Sequence, residues 1–272
     1  MSRWHVIIVA LLLTVLGVGT AVYKSAAFGL PFQPQQEADV WTVEARVMVQ
    51  SDGSAPVRVE MPVPGNLPRF VRIQEDFISA TFGVAVDDAS EPRRAIWTAR
   101  RLNGEAALYY RVQLVERLEE ERDASRPPPY PEVPDYEEPF GAAIHGLLNE
   151  VRRQSADIES FARQLLRRYA NPAGDDRIAL LRANAETPLD HALNFGHILA
   201  GARIPSRVIW TLQLSGGMRS GQLEPWLQIH NGRRWITLDP SSGTFGLPAD
   251  RLIWTVGDEQ PRLAAEGATV GS

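Results

Sequence analysis

The hydrophobic pattern changes character along the chain. From Trp4 to Tyr23 it reads WHVIIVALLLTVLGVGTAVY, twenty residues with no acid and no permanent base, and about 20 apolar residues match the thickness of a bilayer core. From residue 38 to 115 the period is two. Trp41, Val43, Ala45, Val47 and Val49 alternate with Thr42, Glu44, Arg46, Met48 and Gln50, as on a half-buried strand. Ser51-Asp52-Gly53 turns the chain, and Val57, Val59, Met61 and Val63 continue the alternation. Phe82–Val86, Ala95–Trp97 and Leu108–Leu114 supply further strands. This segment predicts a small antiparallel β-sandwich.

The pattern then breaks. ERLEEERD followed by RPPPYPEVPDYEEP predicts a charged, proline-stiffened linker over residues 116–139, a spacer by composition, with a polyproline ligand as the alternative. Beyond it the period becomes helical. Ile144, Leu147, Leu148 and Val151 recur at threes and fours, as do Ile158, Phe161, Ala162, Leu165, Leu166 and Tyr169. Thr187-Pro188-Leu189-Asp190 marks a third helix: an N-cap threonine, a proline at the first helical position and an acid three residues after the cap. Gly201 closes it, and strands follow at Arg207–Leu214, Trp226–His230, Arg234–Leu238 after an Asn231-Gly232 turn, and Leu252–Val256.

Composition narrows the functions. Hydrophobic residues make up 44% and charged residues 22%, which fits a globular chain. The formal net charge of −5 leaves no basic face for nucleic acid. With no cysteine there is no disulfide, thiolate metal site, lipoprotein anchor or cysteine nucleophile. His191 and His197 lie roughly 240° apart at ~100° per residue, so they do not form the paired zinc ligands of an i, i+4 spacing. No metal and no cofactor is expected. The N-terminal run is an uncleaved signal-anchor or a signal peptide cut after Ser25, Ala26 and Ala27. Its length, beyond an h-region of about 7–15 residues, favours the anchor.

The order of capped helix, Ile204-Pro205, apolar strand, Trp226-bearing strand, turn and Trp235-Ile236-Thr237-Leu238-Asp239-Pro240 resembles the transglutaminase-like (papain-like) core over about residues 140–250. In that family a cysteine opens the helix, which runs to Gly-Ile-Pro-(Ala/Ser)-Arg-Val. Here the stretch reads Ala202-Arg203-Ile204-Pro205-Ser206-Arg207-Val208. The family's His-Ala-Trp strand stands here as Glu224-Pro225-Trp226. The resemblance puts Pro188 in the cysteine's place and Glu224 in the histidine's, leaving only Asp239 of the triad. A thiolate at a helix N-terminus with a histidine base is the family's chemistry, so the resemblance implies a protein that is no enzyme. Thr187 offers a hydroxyl, but its cap role engages that oxygen and no histidine is placed as base. His191 faces either the ancestral cleft or solvent. Glu224 and Asp239 either face each other, so that one carboxyl is raised or both hold a cation, or Glu224 points into solvent.

Together with the membrane segment and spacer, the chain resembles the bacterial inactive transglutaminases often fused to seven transmembrane helices. The expected class is α+β: a transmembrane helix (1–24), β-sandwich (38–115), linker (116–139) and inactive transglutaminase-like domain of helices on an antiparallel sheet (140–272). The implied role is an inner-membrane, single-pass protein with its soluble domains in the periplasm. It would bind a peptide, envelope fragment or partner protein through Thr187, His191, Glu224, Trp226 and Asp239. The resemblance implies another envelope or membrane protein as partner, such as a multi-helix membrane protein or an ATP-grasp-associated system. The alternative is a hydrolase or ligase that uses Glu224 and Asp239 as an acid/base pair.

Overall fold

The structure, a computed structural model, describes Trp4, Thr14 and residues 40–65, 67–117 and 127–271. The expected membrane segment lies outside the described residues, as does much of the charged half of the linker. Among the described residues no helix is long and apolar enough to cross a membrane. Val40–Ser272 forms one compact unit.

The sandwich is built from β1 (Val40–Asp52), β2 (Val57–Pro62), β3 (Phe70–Ile78), β4 (Gly83–Asp87), β5 (Arg94–Ala99) and β6 (Asn103–Glu116), with β12 (Ala264–Glu266) and β13 (Thr269–Gly271) arriving from the far end of the chain. Its two sheets run β13-β1-β6-β3 and β12-β2-β5-β4. All their pairings are antiparallel. The expected C-terminal boundary is thereby corrected. Residues 264–271 belong to the sandwich, because β1 and β2 each have an open edge that β13 and β12 cover. The alternation read in β1 puts Val47 and Val49 inside while Met48 and Gln50 face out. β3 escapes a period-two reading because a bulge between Arg72 and Gln74 shifts its register against β6.

Four helices follow: α1 (Phe140–Arg153), α2 (Ile158–Ala170), α3 (Asp176–Arg182) and α4 (Pro188–Gly201). They lie on one face of a five-stranded antiparallel sheet ordered β10-β9-β8-β7-β11, from β7 (Ser206–Gln213), β8 (Leu223–His230), β9 (Trp235–Asp239), β10 (Thr244–Phe245) and β11 (Arg251–Val256). α4 turns Ala192, Phe195, Ile198 and Leu199 inward, all fully buried with Val208, Leu227, Ile229 and Leu238 of the sheet. After α4, Arg203 takes φ +58°, the left-handed region that favours glycine.

The other end of the sheet packs into the sandwich. Leu214, Leu252 and Trp254 are buried in one cluster with Val47, Val59, Trp97 and Tyr110. Trp254 lies edge-on to Tyr110, ring centroids 6.0 Å apart, and its indole N–H donates to the Pro62 carbonyl at 2.9 Å. The Tyr110 hydroxyl donates to Glu75 at 2.9 Å, and Arg93 grips the same carboxylate at 2.6 and 2.8 Å. Burial, reinforced by Glu75, pushes the Tyr110 phenol well above its ordinary range, so it stays a donor. Trp254→Ala is expected to cost about 3–5 kcal/mol, and the chain is expected to unfold in one transition because this residue joins the two layers. Urea denaturation followed by circular dichroism and by tryptophan fluorescence, with coincident midpoints, checks both.

Candidate functional site

The start of α4 is set as the sequence dictates. Thr187 is the N-cap, Pro188 the first helical residue, and Thr187 and Asp190 form a reciprocal capping box. The Asp190 amide donates to Thr187 Oγ1 at 3.2 Å, while the Thr187 amide and hydroxyl donate to Asp190 Oδ2 at 2.8 and 2.7 Å. The threonine hydroxyl is therefore spent in both directions, and the Asp190 carboxyl is held below its ordinary range by those bonds.

One turn on, His191 is half-buried. Its Nδ1 lies 3.1 Å from the Tyr169 hydroxyl, which also accepts from the Asn194 side-chain amide at 3.2 Å. Burial pushes the Tyr169 phenol up to about 12. It therefore keeps its proton near neutrality. Burial, and after it the Arg182 charge, lowers the His191 pKa, opposed by Asp190 and Asp239.

Glu224 and Asp239 have separate partners. Glu224 accepts from Arg251 Nη1 at 2.6 Å, and the same nitrogen donates to Thr211 Oγ1 at 3.0 Å. Arg251 also lies over the Trp226 ring, 4.4 Å from its centroid. Glu224 and Trp226 thus clamp a buried cation on β11 across β7. Asp239 is buried. Its Oδ1 accepts from the Ser241 amide and hydroxyl at 2.9 and 2.6 Å, and its Oδ2 accepts from the Ser242 hydroxyl at 2.6 Å. The loop closes through Gly243 at φ +79°, where a Cβ would stand 2.7 Å from the Ala170 Cβ at the end of α2. The expectation of two facing carboxylates is corrected. Asp239 follows Leu238, which pairs with Leu227, so Glu224 is displaced along β8, and each acid has a better local partner.

Beside the first turns of α4 is a cavity of about 380 Å³, lined by Asp135, Tyr136, Glu137, Phe140, Asp190 and His197 among others. The Tyr136 hydroxyl donates to the His197 carbonyl at 2.7 Å, and its ring meets His197 and His145 edge-on. The described part of the proline-rich segment therefore forms a wall of this cavity. Sequence reasoning missed Arg251, Tyr169, Tyr136 and the serines. Only the serines left a local signal, since Asp239-Pro240-Ser241-Ser242-Gly243 has the composition of an Asx turn.

Of these groups, His191 gives a pH signature. Its folded pKa lies below the ordinary 6.5, so below that pH the unfolded chain binds more protons and stability falls. Its contribution is complete above pH 6.5 and is lost as the pH drops beneath it. The fall in urea midpoint between neutral and mildly acidic pH is expected to be smaller in His191→Asn than in the wild type.

No curated protein matches the chain. A solved structure, described as a candidate cysteine protease from Cytophaga hutchinsonii, is similar with a TM-score of 0.45 at 10% identity, covering 86% of this chain and 92% of that one. The model of a family described as inactive transglutaminase fused to 7 transmembrane helices matches residues 23–185, more than half the chain. The match takes in the first six strands of the sandwich and the first three helices and stops before Thr187, so β12, β13, Pro188, Glu224 and Asp239 lie beyond it. On that match, the chain belongs to the family of inactive transglutaminases fused to transmembrane helices.

Proposed function

We propose that this protein is a non-catalytic, membrane-anchored periplasmic binding or scaffold protein whose transglutaminase-like domain keeps a recognition cavity without an attacking atom. The observation that carries the reading is the start of α4. There Pro188 occupies the first helical position and the neighbouring Thr187 hydroxyl is held in the capping box. Neither is a nucleophile beside a base, and nucleophilic acyl transfer needs both. Glu224 in the histidine's place serves Arg251. The alternative, an acid/base pair of Glu224 and Asp239, gains no support, because one is committed to an arginine and the other to two serines.

The cavity at the flank of α4 is the recognition surface in this reading. It lies within the size range of small-molecule and side-chain pockets, roughly 300–1,000 Å³. It combines aromatic walls at Tyr136 and Phe140 with the amides of Asn184 and Asn194 and the carboxylates of Asp135, Glu137 and Asp190, and no lysine or arginine lines it. A neutral or basic group of a peptide, an envelope fragment or a partner protein suits that chemistry. The partner is an envelope or membrane protein, such as a multi-helix membrane protein or a component of an ATP-grasp-associated system. No cofactor or metal takes part.

Filling the cavity tests the reading. Asn184 is exposed, so Asn184→Trp is expected to leave the thermal midpoint unchanged. The yield of the cross-linked partner recovered with the full chain from membranes should meanwhile fall several-fold. An unchanged yield would overturn the cavity's role. Transfer between glutamine and amine peptides by the purified chain, abolished in Asp239→Ala, would overturn the non-catalytic reading.

A further inference from the structure

The outer face of the sheet β13-β1-β6-β3 is not uniform along its strands. The register places Glu44 beside Arg111 and Arg111 beside Asp76, and Glu44 and Arg111 are ion-paired at 2.8 Å. Next to this row Thr42, Gln113 and Gln74 stand in line. At the end where β1 begins the polar rows stop. Val40, Val115 and Val71 are side by side on three strands, with Val40 57% and Val71 43% exposed. The bulge in β3 adds Ile73 beside Gln74, also 57% exposed. The ions bordering this end are satisfied within the fold: Arg69 pairs with Glu116 at 2.8 Å and donates to the Leu247 carbonyl at 3.0 Å.

We propose that this aliphatic corner, Val40, Val71, Ile73 and Val115, rests on the lipid bilayer. The occupant follows from where the corner sits in the chain. Val40 opens β1 seventeen residues after Tyr23, the last residue of the apolar run. With the run held in a bilayer, the corner meets the same membrane as an intramolecular event. Short tethers give effective concentrations of order mM, so three or four branched side chains suffice where an untethered domain would need a larger apolar face. A second copy of the chain adding a strand at β3 fits less well, because the bulge between Arg72 and Gln74 spoils a straight edge ladder. Since Arg69 and Glu116 are paired among the described residues that border it, the contact made by the four aliphatic side chains is apolar rather than ionic, and salt has little hold on it.

The proposal rests on the membrane-anchor reading, and the test separates the two. The chain has no cysteine, so Ile73→Cys carries a single environment-sensitive fluorophore, and Val84→Cys on the opposite sheet serves as the control. Each full chain is reconstituted into phosphatidylcholine–phosphatidylglycerol vesicles containing lipid with a spin label near the headgroup. The expected result is that spin-labelled lipid quenches the Ile73 probe several-fold more than the Val84 probe, and that high salt leaves the difference intact. Equal quenching of the two probes, both open to aqueous iodide, in chains that float with the vesicles would overturn the proposal and leave the anchor standing. A probe shielded in native membranes but open in pure lipid would mean that a protein covers the corner, which also overturns it. A chain that does not float would overturn the anchor reading and the proposal together.

Discussion

The packing of α4 across β7 and β8 fixes where every candidate site residue stands. Ala192, Phe195, Ile198 and Leu199 are fully buried along one side of the helix. Burying a large aliphatic or aromatic side chain is worth about 1.5–3 kcal/mol, so the axis of α4 is held firmly against the sheet. Its first turn is fixed separately, by Pro188 and the capping box, which removes the slack a frayed helix end would have. With axis and start both set, His191 is carried towards Tyr169 and Arg182, and Asp190 and Asn194 towards the cavity beside Tyr136. The chemistry available there is a property of this rigid platform. No loop is free to bring a different side chain to the first helical position.

The platform then binds up its polar groups. On β8, Glu224 meets a cation brought by β11. Arg251 is buried, and a buried cation stripped of its partner costs several kcal/mol, far more than an exposed pair is worth. Glu224 is thus part of the wall holding β11 to β7, with the Trp226 face and the Thr211 hydroxyl completing the arginine's surroundings. Asp239 is equally occupied with Ser241 and Ser242 in the turn after β9. The two carboxylates serve as separate structural bonds.

Much of this was legible in the sequence, because it is local. The alternation of β1 and β2, the periods of α1 and α2, and the cap and proline of α4 are short-range patterns, and the structure has them at or within a few residues of the expected positions. What was hidden depends on partners far away in the chain. β3 was obscured by a bulge that only its pairing with β6 explains. α3 has seven residues, too few to show a period. The Asn231-Gly232 hairpin spans four residues rather than two, because Asn231 Oδ1 accepts from the amides of Arg233 and Arg234. The Glu224–Arg251 clamp joins residues on two strands separated by a third, and no spacing rule reaches across that gap. Tyr136 lies in a stretch whose prolines advertise a spacer, yet its hydroxyl is committed to α4.

The closing strands have a consequence for how the protein is made. β1 and β2 are the first of the described strands to leave the ribosome, and the neighbours that cover their edges, β13 and β12, follow more than 200 residues after β2 begins. During synthesis both early strands therefore wait with unsatisfied backbone amides and carbonyls, templates for pairing with the wrong chain. A product interrupted anywhere before residue 264 would keep those edges exposed. Arrival of residues 264–271 is what closes the sandwich, and chaperones and proteases can tell the open and closed states apart by that edge alone.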